Sequence, residues 1–304
     1  MNKQKTKRIL LIGAKGMLGR DLLKILRSSN GTDSLENFEV IGWDVDEIDI
    51  RQEVSTLSKI ESLRPDIVIH LAAYTDVDGC EINPDEAFRV NAEGMKHVAM
   101  GAQACGARVV YLSTDYVFDG EKKEAYVESD PPHPLNVYGQ TKLKGERYLQ
   151  ERVEDHLIIR TQWLYGKYGK NFVSSILRQA REKQTLTIVN DQAGSPTYTV
   201  DLSKAIRTLI QHNSRGIFHV ANQEVCTWYT FGQAILKFSR IEGVSLIPIS
   251  SKELSRRAVR PSYSVLNTQK LRRETGMSLR SWSEALKEYL STSPYGGRVI
   301  SASR

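Results

Sequence analysis

Long apolar runs are missing from this chain. Nothing in it approaches the ~20 consecutive apolar residues that span a bilayer. The early candidate ILLIGA (9–14), behind the basic start MNKQKTKR, is too short for a secretory leader and lacks a small-residue cleavage site. These absences predict a cytoplasmic protein. Cysteine is scarce: Cys80, Cys105 and Cys226 are an odd, scattered set with no CxxC spacing, which argues against both a disulfide framework and a zinc site and leaves small buried thiols. An excess of one charge is lacking too. The net charge of +6 comes from 42 basic residues interspersed with 36 acidic ones. With no RNP-like, KH-like or zinc-finger pattern, nucleic acid is a poor partner, and the modest positive charge suits a phosphorylated small molecule. No internal repeat is visible.

What is present is an alternation. The short apolar runs RILLIG (8–13), FEVIGW (38–43), DIVIHLAA (66–73), RVVYLS (108–113) and HLIIR (156–160) are each followed by a longer amphipathic stretch. Near-continuous hydrophobicity is what strands buried on both faces require, and alternation with helices implies parallel βαβ units. The predicted fold is therefore α/β, a doubly wound parallel sheet with a smaller mixed C-terminal domain. Leu18, Leu22, Ile25 and Leu26 stripe the first helix. Asn83-Pro84-Asp85-Glu86 predicts the start of another, with Asn83 as cap and Glu86 completing a capping box, running toward Gly106. Past about residue 165 the rhythm breaks into loops such as NDQAGSPTYT (190–199), a basic patch SRRAVRP (255–261) and a final helix near 281–290. This divides the chain into a dinucleotide-binding domain (1–165, its sheet completed by parts of 186–222), a substrate domain (166–290) and a mobile tail (291–304).

Directly after the first strand comes GAKGMLG, with Gly13, Gly16 and Gly19. Glycines there let a pyrophosphate approach the next helix's N-terminus, where free N–H groups and the helix dipole favour negative charge. The same pattern also serves plain tight βα turns. Its position between a buried strand and an amphipathic helix points to a dinucleotide. Asp44, at the end of the second strand, is placed for the adenosine ribose hydroxyls and favours NADH, whereas Lys15 and Arg20 pull toward NADPH. Ser113 or Thr114, at the end of the fourth strand, can offer a hydroxyl to the same cleft. Tyr138 and Lys142 in NVYGQTKLKGE (136–146) lie one helical turn apart on one face. That spacing fits a proton donor with its electrostatic tuner, or a surface Tyr over a solvated Lys.

Taken together, the glycine loop, the strand-end Ser/Thr and YxxxK resemble an extended short-chain dehydrogenase/reductase. More narrowly, AAYTDVDGCE (72–81), STDYVFDG (113–120), PLNVYGQTKLKGE (134–146), NDQAGSPT (190–197) and RPSYSVLNT (260–268) resemble the dTDP-4-dehydrorhamnose reductase family, from about residue 8 to 290. The resemblance implies NADPH- or NADH-dependent reduction of the C4 ketone of dTDP-4-dehydro-6-deoxy-L-mannose. Tyr138 would be the proton donor, Lys142 its tuner and ribose anchor, and Thr114 the hydroxyl that orients the carbonyl. It implies cofactor contacts at Gly13, Gly16, Met17, Leu18, Gly19, Asp44, Ala73, Tyr74 and Thr75, with Tyr138 and Lys142. Substrate contacts are implied at Thr75, Val77, Thr114, Asp115, Tyr138, Trp163 and Arg260, the last toward the diphosphate. Family members can bind Mg2+ at a subunit contact, but ligands for it are not legible here; a homodimer is also implied. A related 4,6-dehydratase carries Glu after Thr-Asp, where this chain has Tyr116, a poor base at neutral pH. A nucleotide-sugar epimerase, another nucleotide-sugar 4-reductase and a non-catalytic regulatory subunit like that of methionine adenosyltransferase are the remaining readings.

Overall fold

Ile9 and Leu11 of β1 (Lys7–Ile12) pack into one hydrophobic cluster while Leu10 and Ile12 pack into another, and all four are buried. A strand sandwiched in this way needs helices on both faces. The computed structural model, which describes residues 6–28 and 38–292, supplies them. On one face lie α1 (Met17–Arg27) and, far along the chain, α8; on the other lie α2 (Glu53–Leu63), α5 and α6. Leu18, Leu22 and Leu26 of α1 are buried as the stripe predicts, with Ile25 half-buried.

The central sheet has six strands, all parallel, in the order β10-β5-β4-β3-β1-β2. Its members are β2 (Phe38–Trp43), β3 (Ile67–His70), β4 (Arg108–Thr114), β5 (His156–Thr161) and the late edge strand β10 (Gly216–His219). The chain steps from β1 outward to β2 and then back past β1 to β3. The order therefore reverses between β1 and β3, and a crevice opens there at the carboxyl ends of the strands.

The connection from β3 to β4 is helical but interrupted. It contains α3 (Val77–Ile82), α4 (Pro84–Phe88), a π turn (Arg89–Glu93) and α5 (Gly94–Cys105). The expected capping box is not formed. Asn83 makes no side-chain cap bond, because α3 ends directly at it, and Glu86 instead binds Arg51 at 2.8 Å. The helix expected from Pro84 toward Gly106 does run to its left-handed cap at Gly106, widened over one turn by the π segment, which carries the buried Asn91.

After β5 the chain alternates between the two layers. β6 (Leu164–Tyr165) pairs with β9 (Thr197–Tyr198), β7 (Thr185–Val189) with β12 (Ser245–Ile249), and β8 (Ala193–Gly194) with β11 (Cys226–Thr227). Around them, α7 (Phe172–Glu182), α9 (Trp228–Phe238) and α11 (Trp282–Thr292) enclose a separate aromatic-rich core containing Tyr165, Phe231, Trp282 and Tyr289. α8 (Thr199–Gln211) and α10 (Gln269–Thr275) return to the large sheet, through Leu202, Ile206 and Leu271. The tail expected to be mobile lies, apart from its first two residues, outside the described residues. Among the described residues no helix is long and apolar enough to cross a membrane, and the three cysteines are free, Cys80 and Cys226 buried.

Candidate active site

β1 ends at Gly13, which turns the chain with φ +89° and lies so close to Ala72 that a Cβ would meet its backbone N at 2.7 Å. The Gly13 and Ala14 N–H groups donate to the Trp43 carbonyl, locking the turn to the end of β2. Gly16 caps α1 without a side-chain bond, so the first N–H groups of the helix receive no side-chain cap. Gly19 lets α1 pass over the turn: a Cβ there would sit 2.2 Å from the Gly13 carbonyl oxygen. Because that obstacle is backbone, Gly19→Ala is expected to push α1 off the loop. Titration with NADPH, followed by its fluorescence, should show affinity falling at least about tenfold, the scale of ~1.4 kcal/mol.

Three adjoining cavities run from this loop. The first, about 700 Å³, is lined by Gly13, Gly16, Met17, Leu18, Gly19, Asp44, Ala73 and Thr75, all expected at the cofactor. The second, about 340 Å³, shares Met17, Ala73, Thr75 and Leu164 with the first and adds Val77, Thr114, Asp115, Tyr138, Lys142 and Trp163. The third, also about 340 Å³, shares Tyr116 and Trp228 with the second and ends on Arg256 and Arg260. Tyr74 alone of the expected set lines none of the three. Its backbone N–H and carbonyl are both held by Asn91, at 2.8 and 3.0 Å, and Asn91 also donates to Thr141 on α6 (Val137–Arg152).

Tyr138 is set by the start of α6. Asn136 accepts from the Gly139 N–H at 2.8 Å and donates to the Val259 carbonyl at 2.7 Å, while the Val137 N–H is taken by Glu81. These bonds pin the helix N-terminus between the α3 segment and the basic 255–261 loop. Gly139 packs directly on the Tyr116 carbonyl, and the Tyr116 and Tyr138 rings meet edge to face at 5.9 Å.

The electrostatics differ from the expectation that Lys142 acidifies the phenol. Burial pushes Tyr138 above its ordinary value, the Asp115 charge adds to that, and the hydrogen bond with Thr114 opposes it; Lys142 is not among the causes. Lys142 is itself buried, with its ammonium 4.0 Å from the centroid of the Tyr111 ring. Burial lowers it to about 7, against the pull of Glu146. Near neutral pH the amine is therefore only partly charged, and its pull on a neighbouring phenol is reduced in proportion. The phenol therefore holds its proton at neutral pH, the state a donor requires.

Thr114 and Ser113 separate clearly. Both residues line the second cavity, but the Ser113 hydroxyl is committed to the buried Glu146, which leaves Thr114 as the strand-end hydroxyl for the chamber. Trp163 adopts a left-handed backbone, φ +48°, and stacks on Trp228 at 3.6 Å between centroids, with Gly194 tight against its ring. Arg260 makes a two-pronged ion pair with Asp78, at 2.8 and 3.2 Å, holding that carboxyl at about 2. Asn91, Trp228 and Arg256 were missed from the sequence. Arg256 sits in the same basic patch as Arg260, whereas a polar Asn inside a helical pattern was the only available sign of Asn91. Among the described residues no group of three or more His, Cys, Asp or Glu is placed to hold a metal ion.

Residues 7–294 match the model for the RmlD substrate binding domain. The chain is 39% identical over 283 residues to the spore coat polysaccharide biosynthesis protein SpsK of Bacillus subtilis (strain 168), covering 93% of this chain and 96% of that protein. It is 36% identical over 291 residues to a dTDP-4-dehydrorhamnose reductase of Aggregatibacter actinomycetemcomitans, covering 92% and 97%. Among solved structures, the dTDP-4-dehydrorhamnose reductase of Bacillus anthracis str. Ames in complex with NADP superposes with a TM-score of 0.87 at 37% identity, covering 94% of this chain and 99% of that one. With the match running from β1 through the last helix, this chain belongs to the RmlD substrate-binding domain family.

Proposed function

We propose that the chain reduces the C4 ketone of dTDP-4-dehydro-6-deoxy-L-mannose with NAD(P)H to form dTDP-L-rhamnose. The observation that carries this reading is the order of the cavities. A glycine-loop crevice leads to a chamber holding Thr114, Tyr138 and Lys142, and the chamber leads to a pocket walled by Arg256 and Arg260. A dinucleotide fits the first, a keto-sugar the second, and a nucleoside diphosphate the arginine end. Bound NAD(P)H supplies the hydride to the ketone carbon. The chain's part is the other half: Tyr138 transfers its phenolic proton to the oxygen as a C–O single bond forms, and solvent restores that proton. A phenolate formed in the cavity it shares with Lys142 would favour the charged form of that amine. Arg260, already oriented by Asp78, presents its guanidinium to phosphate oxygens.

The rim around Asp44 favours NADH. The Asp44 carboxylate accepts from the Lys15 and Val45 N–H groups at 2.8 and 3.0 Å. Lys15 and Arg51 line the same cavity, but Lys15 is engaged by Asp46 and Glu47, and Arg51 by Asp49 and Glu86. A 2′-phosphate would meet Asp44 and would have to draw these two exposed cations out of their present pairs. The test is oxidation of each reduced nicotinamide with the dTDP-keto-sugar, the D-gluco isomer serving as comparison. Turnover is expected with both cofactors, with kcat/KM for NADH at least equal to that for NADPH. No turnover with either removes the reductase reading; a strong NADPH preference removes Asp44 from the ribose.

A further inference from the structure

Asp115 is 2% exposed, in the turn (Asp115–Val117) that follows β4, and both of its oxygens are occupied. Oδ1 accepts from the Thr114 hydroxyl at 3.1 Å and Oδ2 from the Ser264 hydroxyl at 2.5 Å. Ser264 is 1% exposed. Thr114 Oγ1 in turn accepts the Tyr116 N–H at 3.1 Å. A hydroxyl has one proton to give and two lone pairs. A carboxylate only accepts, so an ionised Asp115 takes the one proton of Thr114. The remaining lone pair of Thr114 is then the one left for the cleft it shares with Tyr138. In that state Thr114 has no proton to aim at a substrate carbonyl.

We propose that Asp115 is a positioning residue that sets the direction of the Thr114 hydroxyl: ionised, it holds the Thr114 proton away from the cleft, and protonated, it donates to Thr114 Oγ1 and turns that proton toward the ketone. In the acid form the two lone pairs of Thr114 are filled by Tyr116 N–H and Asp115 O–H. The Thr114 proton is then free to join that of Tyr138 at the carbonyl oxygen, where negative charge develops. Ser264 continues to accept no part in this exchange; it keeps donating to Oδ2. The inference rests on the reductase reading and specifies which protonation state of that same site is competent.

Burial raises Asp115 to about 7, opposed by its bonds from Ser264 and Thr114. The acid form therefore prevails below that pH and is lost above it. The titratable groups facing Asp115 are Tyr116 on its own turn and Tyr138 on α6, both pushed up by burial and neutral through this range. From the 255–264 segment Ser264 faces it directly, and Arg256 and Arg260 act on Tyr116. Lys142, one turn beyond Tyr138, also titrates near 7, so the test must separate the two.

The experiment is the pH profile of kcat with saturating NADPH and the dTDP-keto-sugar. For the wild type, kcat should fall about tenfold per pH unit above about 7 on the Asp115 limb. Asp115→Asn offers Thr114 a permanent amide donor, so its profile should lose that limb while KM for NADPH stays within about twofold. Ser264→Ala removes a bond that favours the carboxylate, so the fall should move to higher pH. In a Thr114→Val background, Asp115→Asn should leave the shape of the profile unchanged, whereas an effect exerted through Lys142 would persist. An unshifted limb in Asp115→Asn, or in Ser264→Ala should Asp115→Asn fail to fold, overturns the inference. An inactive wild type fails the reductase reading instead, so the two failures are distinguishable.

Discussion

Tyr138→Phe is expected to lower kcat by about 10²–10⁴-fold, the usual contribution of a positioned general acid and equivalent to ~3–5 kcal/mol of barrier. The change removes one oxygen from a ring held edge-on to Tyr116, so the packing that sets α6 is retained. NADPH affinity should change much less than turnover. Stopped-flow hydride transfer separates the two, because it reads the chemical step apart from binding and release. Replacement of the transferred proton by water cannot rescue the rate fully, since the phenol is positioned in the chamber and solvent is not. A variant turning over within about threefold of wild type would place the proton donor elsewhere, despite the convergence of Thr114, Tyr138 and Lys142 in one cavity.

Arg160→Ala is expected to cost about 3–5 kcal/mol of folding stability, the scale of a buried ion pair broken on one side. Arg160 on β5 and Glu146 on α6 are 2% and 1% exposed, and they join by two hydrogen bonds, at 3.0 and 2.7 Å. The Ser113 hydroxyl from β4 completes the carboxylate's shell, and the guanidinium lies 5.2 Å from the Phe118 ring centroid. Truncating Arg160 leaves a carboxylate buried without its cation behind Lys142. Replacing both charges, as in the double variant Glu146→Leu with Arg160→Met, should recover much of the loss, because it removes the stranded charge as well as the pair. Urea unfolding of the two single variants and the double reads this directly. A single variant losing less than about 1 kcal/mol would show that water reaches the pair.

The pair also bears on chemistry. Glu146 is the group that raises Lys142 against its burial, and Lys142, Glu146 and Tyr138 follow one another at helical spacing. The turn-by-turn alignment of donor, amine and buried carboxylate is written in NVYGQTKLKGE, yet only the first two were legible as functional. Glu146 carried no sign of its role in the sequence, because its partner Arg160 is brought against it by β5.

Much of the frame was open to inspection in the primary structure because it depends on short-range patterns. Five apolar runs correspond to β1 through β5, and the glycines of GAKGMLG sit where backbone meets backbone. The edge strand β10 was harder: it comes from a region whose rhythm had broken, and its place beside β5 depends on α8 packing on α1 across the sheet. The missing capping box at Asn83 has a related reason. A capping box at Asn83 is a local preference, and the pairing of Glu86 with Arg51, 35 residues away, prevailed over it.

Composition and pattern alone determined that this chain builds a doubly wound sheet with a dinucleotide loop after its first strand, since strand burial, helical spacing and glycine clearance are properties of neighbours in sequence. Only the tertiary structure decided the state of the reacting groups. Burial takes away the charge advantage of Lys142, Tyr138 keeps its proton, and burial raises Asp115 against its bonds from Thr114 and from Ser264, the latter 149 residues away. Protonation depends on what surrounds a side chain from every direction, and in this fold those surroundings come from segments that meet only after the chain has closed.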